Sequence, residues 1–591
     1  MSEVSSVYVY NEGIGRGAPT DVTHIRVDPS VTAIPFSAFY SFEQLEVVEL
    51  PEGLIKITED GFSCCKSLKK INLPSTLVEI EGRSFSSCES LEVVVLPVGL
   101  QMLGEYTFSI CKSLQRINIP PNLRTIDEGA FAACRDLTDI TFSEGLEYIE
   151  KGAFARCVSL SSINLPSTLK AIGEESFYGC EKLNEIHLPD AIHFIYARAF
   201  THCNITHFRI PPQMYGVDIS ILSNNACLVS LELPENLNSN IRGIVNRIED
   251  TAAYTVLGSL RNITVPSNCK VSIDITRKSK DLRVAFPEGD NDTITEALQN
   301  RFDDLPIHKI CYYQSYHDNE TIQNSKREIG ESNKSVTQQD CLGMTPLHIL
   351  ACSTKQHVEV YQLLIDKYPE TLIMKDKWGD IPLLYAIWCN ASAEVLDLFV
   401  ESYKSFHPDY EFDWSGMIQT LAKRAVPLAN IQKLVNTQHE SFPGQEYDMQ
   451  AIVMELAVHD ASELELVGRW VSMKTFRYLL RLSITDRLDL LNITKWQVDM
   501  ENYIALPMNL ASRESNTQAI YDRLATYESI KEGTSILELA LWKAKIGESR
   551  SNEARVSGEV RSRDQCRINC GADIIIRNAL PYLLPKRTDE L

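Results

Sequence analysis

Residues 67–88 read SLKKINLPSTLVEIEGRSFSSC, and this phrase recurs about eight times in succession between positions 22 and 212. Phe39, Phe62, Phe85, Phe108, Phe131, Phe154, Phe177 and Phe200 keep a constant spacing of 23, and a cysteine usually follows three residues later. One coil of that length cannot bury its own apolar face, so a fixed short period predicts a solenoid. Within a coil, Ile71 and Leu73 lie two apart and point one way on a short strand, while Lys70 and Asn72 point the other way. Pro74 ends the strand, Leu77 and Ile80 turn the chain back, and Phe85 with Cys88 fill the facing wall. Stacked coils then form a parallel sheet with one apolar and one exposed face.

Seven cysteines occupy one place in the repeat: Cys65, Cys88, Cys111, Cys134, Cys157, Cys180 and Cys203. Stacking at about 4.8 Å puts their thiols in a column. In a reducing compartment they read as small buried fillers, with disulfides as the alternative. A metal array is disfavoured, because zinc sites cluster their ligands.

The phrase and its near copies resemble the BspA-like class of leucine-rich repeats. The resemblance implies a right-handed parallel solenoid used for protein interaction, without the asparagine ladder of commoner leucine-rich repeats, since proline stands where that turn begins. Farther on, Thr345-Pro346-Leu347-His348-Ile349-Leu350-Ala351 resembles the ankyrin signature. Asp376, Gly379, Ile381, Pro382 and Leu383 repeat it after 36 residues, and Leu305-Pro306-Ile307-His308 precedes it. The whole layout is similar to leucine-rich-repeat proteins of diatoms. The fold class expected is therefore an α+β repeat protein: a leucine-rich-repeat parallel-strand solenoid followed by an all-α ankyrin-like and helical region.

The expected divisions are an N-terminal cap (1–21), the solenoid (22–212), irregular coils with a closing cap (213–290), ankyrin-like helices (291–414) and a helical C-terminal region (415–591). Strand-like remnants are read at Leu231-x-Leu233, Ile263-x-Val265 and Leu282-x-Val284-x-Phe286, with a helix near 240–255. The polar stretch 319–338 reads as a loop, residues 547–564 as a mobile insertion and 572–584 as a closing helix.

The net charge is −22, and the array holds 16 Lys or Arg against 24 Asp or Glu. Phosphate backbones are gripped by clustered cations, so nucleic acid and anionic membrane are not expected partners. The opening residues show no leader pattern and no run of 18 apolar residues occurs, so the expected location is cytoplasmic, with the nucleus as the other possibility.

No phosphate loop, H-E-x-x-H, G-x-S-x-G or kinase signature is present. Cys566 and Cys570 read as packing residues, as do His308 and His348. No catalytic, cofactor or metal residue is expected. The candidate surface is instead the outward face of the strands: Val47, Glu49, Lys70, Asn72, Val93, Val95, Arg116 and Asn118. Val47, Val93 and Val95 stand out as apolar residues exposed together. The expected role is a non-enzymatic scaffold that binds a protein or peptide there. The alternative is an unrecognised enzyme or effector domain in the C-terminal region, targeted by the repeats.

Overall fold

The computed structural model describes residues 7–11, 19–214, 219–225, 227–233, 259–264, 280–313, 318–331, 337–353, 357–458, 473–491, 494–505 and 513–551. The expected helix near 240–255, the closing helix at 572–584, Val265, and Cys566 with Cys570 lie outside the described residues. The chain divides into two compact units, residues 1–447 with 462–475, and residues 448–461 with 476–591.

The first unit begins with the parallel-strand solenoid. Its front ladder pairs Tyr8–Tyr10 with His24–Val27, then with Val47–Glu49 and Lys70–Ile71. Single bridges carry it from Lys70 through Val93 to Arg116. Beyond it the front strands pair in groups: Arg116–Ile119 with Asp139–Phe142, Ser162–Asn164 with Glu185–His187, and His207–Arg209 with Ser230–Glu232 and then Asn262–Ile263. On a second wall two-residue strands form two four-stranded ladders, Ala33–Ile34 to Met102–Leu103 and Thr125–Ile126 to Phe194–Ile195, each strand one period of 23 beyond its neighbour.

The phenylalanine wall is held by backbone bonds between coils rather than by strands. Each Phe amide donates to a carbonyl of the next coil, from Phe39 to Gly61 through Phe177 to Ala199. The wall alternates conformations: the residues two before and two after each Phe have positive φ, for example Arg83 (57°) and Ser87 (60°) around Phe85. The rings stack with centroids 5.0–5.6 Å apart and planes within 3–19°. Offset stacking of this kind adds about 0.5–1.5 kcal/mol per pair beyond the area buried.

The thiols do more than fill space. Cys65, Cys88, Cys111, Cys134, Cys157, Cys180 and Cys203 each donate to the carbonyl of the phenylalanine one coil back, at 3.1–3.3 Å. Burial makes the thiols from Cys88 to Cys203 weaker acids, raising Cys180 to about 12, so these six stay protonated as donors at neutral pH. All are free thiols. Where the register loses one residue, Asn225 replaces the cysteine and its Nδ2 donates to the Phe200 carbonyl at 2.8 Å.

Only three of the 16 positive-φ places around the eight phenylalanines are glycine: Gly129, Gly152 and Gly179. Ile110, at φ 63°, is the β-branched exception and is exposed. A left-handed backbone costs a side-chain-bearing residue about 1–2 kcal/mol, and a branched Cβ suits it least. Ile110→Gly is therefore expected to raise the unfolding free energy by about 0.5–1 kcal/mol, the gain reduced by the freer unfolded glycine. Urea unfolding of the two proteins checks it; a loss of stability would contradict the strain.

Helices close the first unit. In chain order they are α1 (Lys280–Ala285), α2 (Asn291–Gln299), α3 (Pro306–Tyr312), α4 (Asp318–Glu331), α5 (Pro346–Ala351), α6 (Val358–Lys367), α7 (Pro382–Trp388), α8 (Ala393–Phe406), α9 (Trp414–Lys423) and α10 (Leu428–Ser441). Two sequence expectations are corrected here. The Leu282-x-Val284-x-Phe286 stretch enters α1, not a strand, with Leu282 and Ala285 buried and Val284 exposed. The expected loop at 319–338 is helical through most of its length: α4 packs against α3 and α6, and buries Ser325 and Ile329.

Proline opens α3, α5 and α7, and Thr345 with His348 forms a capping box on α5. Before α5, Asp340 accepts from the amides of Leu342 and Met344; before α7, Asp376 does the same for Trp378 and Asp380. Gly343 turns the first of these loops at φ 75°, where a Cβ would meet the Lys377 amide. The imidazoles link successive repeats: His308 Nε2 donates to the Met344 carbonyl at 3.2 Å and His348 Nε2 to the Asp380 carbonyl at 3.1 Å.

These helices pack directly on the last coils. Trp388 Nε1 donates to the Cys227 carbonyl, and Tyr312 hydroxyl donates to that of Leu231. Arg301 reaches Asp340, the Asn262 side chain and the Ile263 carbonyl. Arg261, 3% exposed, binds Asp281, Asp380 and the Tyr385 hydroxyl, and its guanidinium lies 4.7 Å from the Trp378 ring centroid. The open end of the array is thereby sealed, and these arginine, tryptophan and tyrosine donors at the seam find partners.

The second unit is built from α11 (Met449–Val458), α12 (Met473–Leu491), α13 (Thr494–Ala505) and α14 (Arg513–Ser551). α14 runs through 547–551, the beginning of the expected insertion, as helix; residues 552–564 are outside the described set. α11 and α13 both pack against α14, and Trp496 stacks on Tyr527 at 4.7 Å. No described helix is long and apolar enough to cross a membrane.

Candidate interaction face

A strand in this array exposes every second side chain, so its outward residues fall into rows set by the parallel register. One row runs His24, Val47, Lys70, Val93 and Arg116; the next begins Arg26 and Glu49. The candidate residues thus lie on one sheet face, although they do not all serve the same end. Val47 and Val93 are each 44% exposed and Val95 is 65% exposed. Lys70, Asn72 and Arg116 complete the accessible part of the face.

Glu49 is exposed yet tied into a local ion-pair cluster, accepting from Arg26 Nε at 2.5 Å and contacting His24 Nε2 at 2.9 Å. The hydrogen bond from Arg26 holds its carboxyl below the usual range. Asn118 turns inward along the ladder: its Oδ1 accepts from the Leu96 amide and its Nδ2 donates to the Leu96 carbonyl, both at 3.1 Å. It mends the place where the coil carrying Val93 has a bridge instead of a full strand. Asn118 therefore supports this face and is already engaged within it.

The valine coil, residues 91–100, reads LEVVVLPVGL. Val98, 70% exposed, extends the patch, and a groove of about 460 Å³ is lined by Lys70, Asn72, Val93, Val95 and Val98 among others. Sequence reasoning missed Val98. Its signal was available: the equivalent places hold Glu52, Ser75, Pro121, Glu144, Ser167 and Asp190. Apolar residues gathered this way, rimmed by Lys70 and the exposed Arg116, form a surface suited to an apolar side chain with acidic neighbours.

Among the described residues no three His, Cys, Asp or Glu side chains come together as a metal cage. His308 and His348 are buried at the joints between helical repeats, as expected of packing residues.

Residues 32–160 and 147–275 match the model of the BspA type Leucine rich repeat region, in six copies. Solved structures similar to this chain include a leucine-rich repeat protein from Bacteroides ovatus, 20% identical over 41% of this chain and 81% of that one, TM-score 0.33. A leucine-rich repeat protein of T. pallidum is 32% identical over 23% of this chain and 64% of that one, TM-score 0.23. One from Eubacterium ventriosum is 25% identical over 32% and 60%, TM-score 0.28. No curated protein matches the chain.

Proposed function

We propose, on the premise that residues 32–275 are a BspA-type leucine-rich-repeat region, that this protein is a non-enzymatic scaffold whose front strand face binds a protein or peptide. Solenoids of this kind commonly present an extended surface to protein partners. The observation that carries the reading is the three-valine coil: Val93, Val95 and Val98 stand exposed over one groove, in a row of places that are mostly polar in the other coils. The site comprises Val47, Lys70, Asn72, Val93, Val95 and Arg116, with Glu49 and Asn118 holding its shape. In functional parts, residues 22–212 are the recognition module, 213–290 its closing coils, 291–414 the helical seal, and 415–591 a further helical region whose first two helices belong to the first unit.

The partner segment fitting this face presents an apolar side chain to the valines and acidic groups to Lys70 and Arg116. The proposed location is the cytoplasm or nucleus, where the free thiols of the cysteine column would stay reduced.

Full-length protein with Val47→Glu, Val93→Glu and Val95→Glu tests it by affinity capture from native lysate. A partner held through the valines is expected to fall at least tenfold in recovery, since the glutamates remove the apolar contact, compete for Lys70 and Arg116 and repel the partner's acidic groups. Undiminished recovery of every partner by a normally folded triple variant would refute the reading.

A further inference from the structure

Charges along this array usually pair from coil to coil. In the place after the column cysteine, Lys66 bonds Glu43 at 2.7 Å and Lys112 bonds Glu89 at 2.8 Å. The alternation then breaks: Arg135 is followed one period later by Val158. In the positive-φ place after the phenylalanine, Arg156 stands between Ala133 and Gly179 and is the sole cation from Ser41 to Gly179. Among the described residues neither guanidinium has an ion-pair or side-chain hydrogen-bond partner.

Both arginines line one open groove of about 730 Å³, away from the valine coil. Gly179, at φ 71°, puts no side chain beside Arg156 in this lining. Tyr178 and His202 stand edge to face, 5.3 Å between ring centroids, and Asn204 and Asn224 complete the polar lining. Asn224 Nδ2 donates to His202 Nε2 at 3.2 Å, which leaves Nδ1 as the imidazole's donor. Glu181 is the one acid among the lining residues.

Two unpaired guanidinium groups in a chain of net charge −22 make a local cationic site against the general field. One bidentate guanidinium satisfies a carboxylate. Two of them, with an imidazole, a phenol and two carboxamides in the same lining, offer donors enough for the three terminal oxygens of a phosphate group. We propose that this groove binds a phosphomonoester, carried either by a phosphorylated side chain of a partner or by a free phosphorylated small molecule.

Calorimetric titration of the full-length protein distinguishes these sources, using inorganic phosphate, a short phosphoserine peptide and its unphosphorylated twin. Both phosphate-bearing probes are expected to saturate one site and to compete. Tighter binding of the phosphopeptide assigns the site to a modified protein, and tighter binding of inorganic phosphate to a free phosphate. Arg135→Gln with Arg156→Gln should weaken both about a hundredfold, roughly tenfold for each guanidinium removed, with the melting temperature unchanged. Should that pair disturb folding, Arg156→Lys keeps the charge, loses the bidentate fork and is expected to give an intermediate affinity. The proposal is overturned if neither phosphate-bearing probe saturates by about 10 mM, if the unphosphorylated twin binds equally well, or if a folded double variant keeps wild-type affinity.

Discussion

Arg261→Ala is expected to cost about 3–5 kcal/mol of unfolding free energy, because it leaves buried carboxylates without their counter-charge. Arg261 stands just before the strand Asn262–Ile263, and its partners come from α1, from the loop before α7 and from α7 itself. Asp281 retains Arg424 as a second partner at 2.5 Å; Asp380 has a weaker remainder, with its carboxyl already raised by desolvation. The loss should therefore fall mainly on Asp380. Asp380→Asn in the Arg261→Ala background is expected to recover part of the stability, and the double-mutant cycle should show coupling above about 1 kcal/mol. Trp378 and Trp388, at 4.7 and 5.3 Å from the guanidinium, report the change by fluorescence during urea unfolding. A loss below about 1 kcal/mol would mean that the seam between coils and helices does not depend on this cluster.

Mild acid should weaken the same seam. Burial holds His207, His308 and His348 neutral, each lowered to about 4. His348 is fixed as the Nε2–H form, since its Nδ1 accepts from the Thr345 amide while Nε2 serves the Asp380 carbonyl. A second proton on that ring breaks the capping box. The unfolded imidazoles titrate near 6.5, so between there and about 4 the unfolded chain binds more protons and stability falls with falling pH. Each contributes about 1.4 kcal/mol at pH 5.5, together about 4 kcal/mol relative to pH 7.5.

Neighbouring acids do not cancel this fall. Asp340 raises His308 and His348 and Asp380 raises His348, Glu232 lies 3.8 Å from His207, Arg301 lowers His308, Arg209 and His187 lower His207, and desolvation outweighs them all. Asp376 and Asp380 are themselves raised by burial, so their own contribution grows in acid and limits the loss. Urea unfolding at pH 7.5 and 5.5, above the pI of about 5.1, measures the difference. Equal stability at the two values would show that the rings are charged or solvated. His348→Gln should shed about a third of the dependence.

The array was legible because its period is unbroken. Phe, Cys, Leu and Ile recur at fixed offsets, and each offset maps to one wall. The backbone that turns around each phenylalanine was not legible, since Arg83, Ser87 and Tyr106 give no glycine signal for a positive φ. The thiol donation followed from that hidden geometry, because the alternating backbone aims the Phe carbonyl at the next coil's sulfur. At 282–286 alternation over so few residues suits strand and helix alike. The α4 helix was concealed by a polar sequence whose stability comes from its neighbours. The seam was beyond reach for another reason: Arg261 meets Asp380 and Tyr385, and Cys227 meets Trp388, across more than a hundred intervening residues. Of the candidate face, the row of valines was readable; the inward turn of Asn118 and the pairing of Glu49 needed the neighbouring coils in place.

Each thiol, ring and ion pair in the array looks only to the coil before or after it, whereas the termini of the stack are unique pieces. A gene that gained or lost one 23-residue module in the interior would still meet the same helical lid at one extremity and the same Tyr8–Tyr10 strand at the other. The reach of the molecule is thus an adjustable dimension, lengthened in steps without redesigning either end.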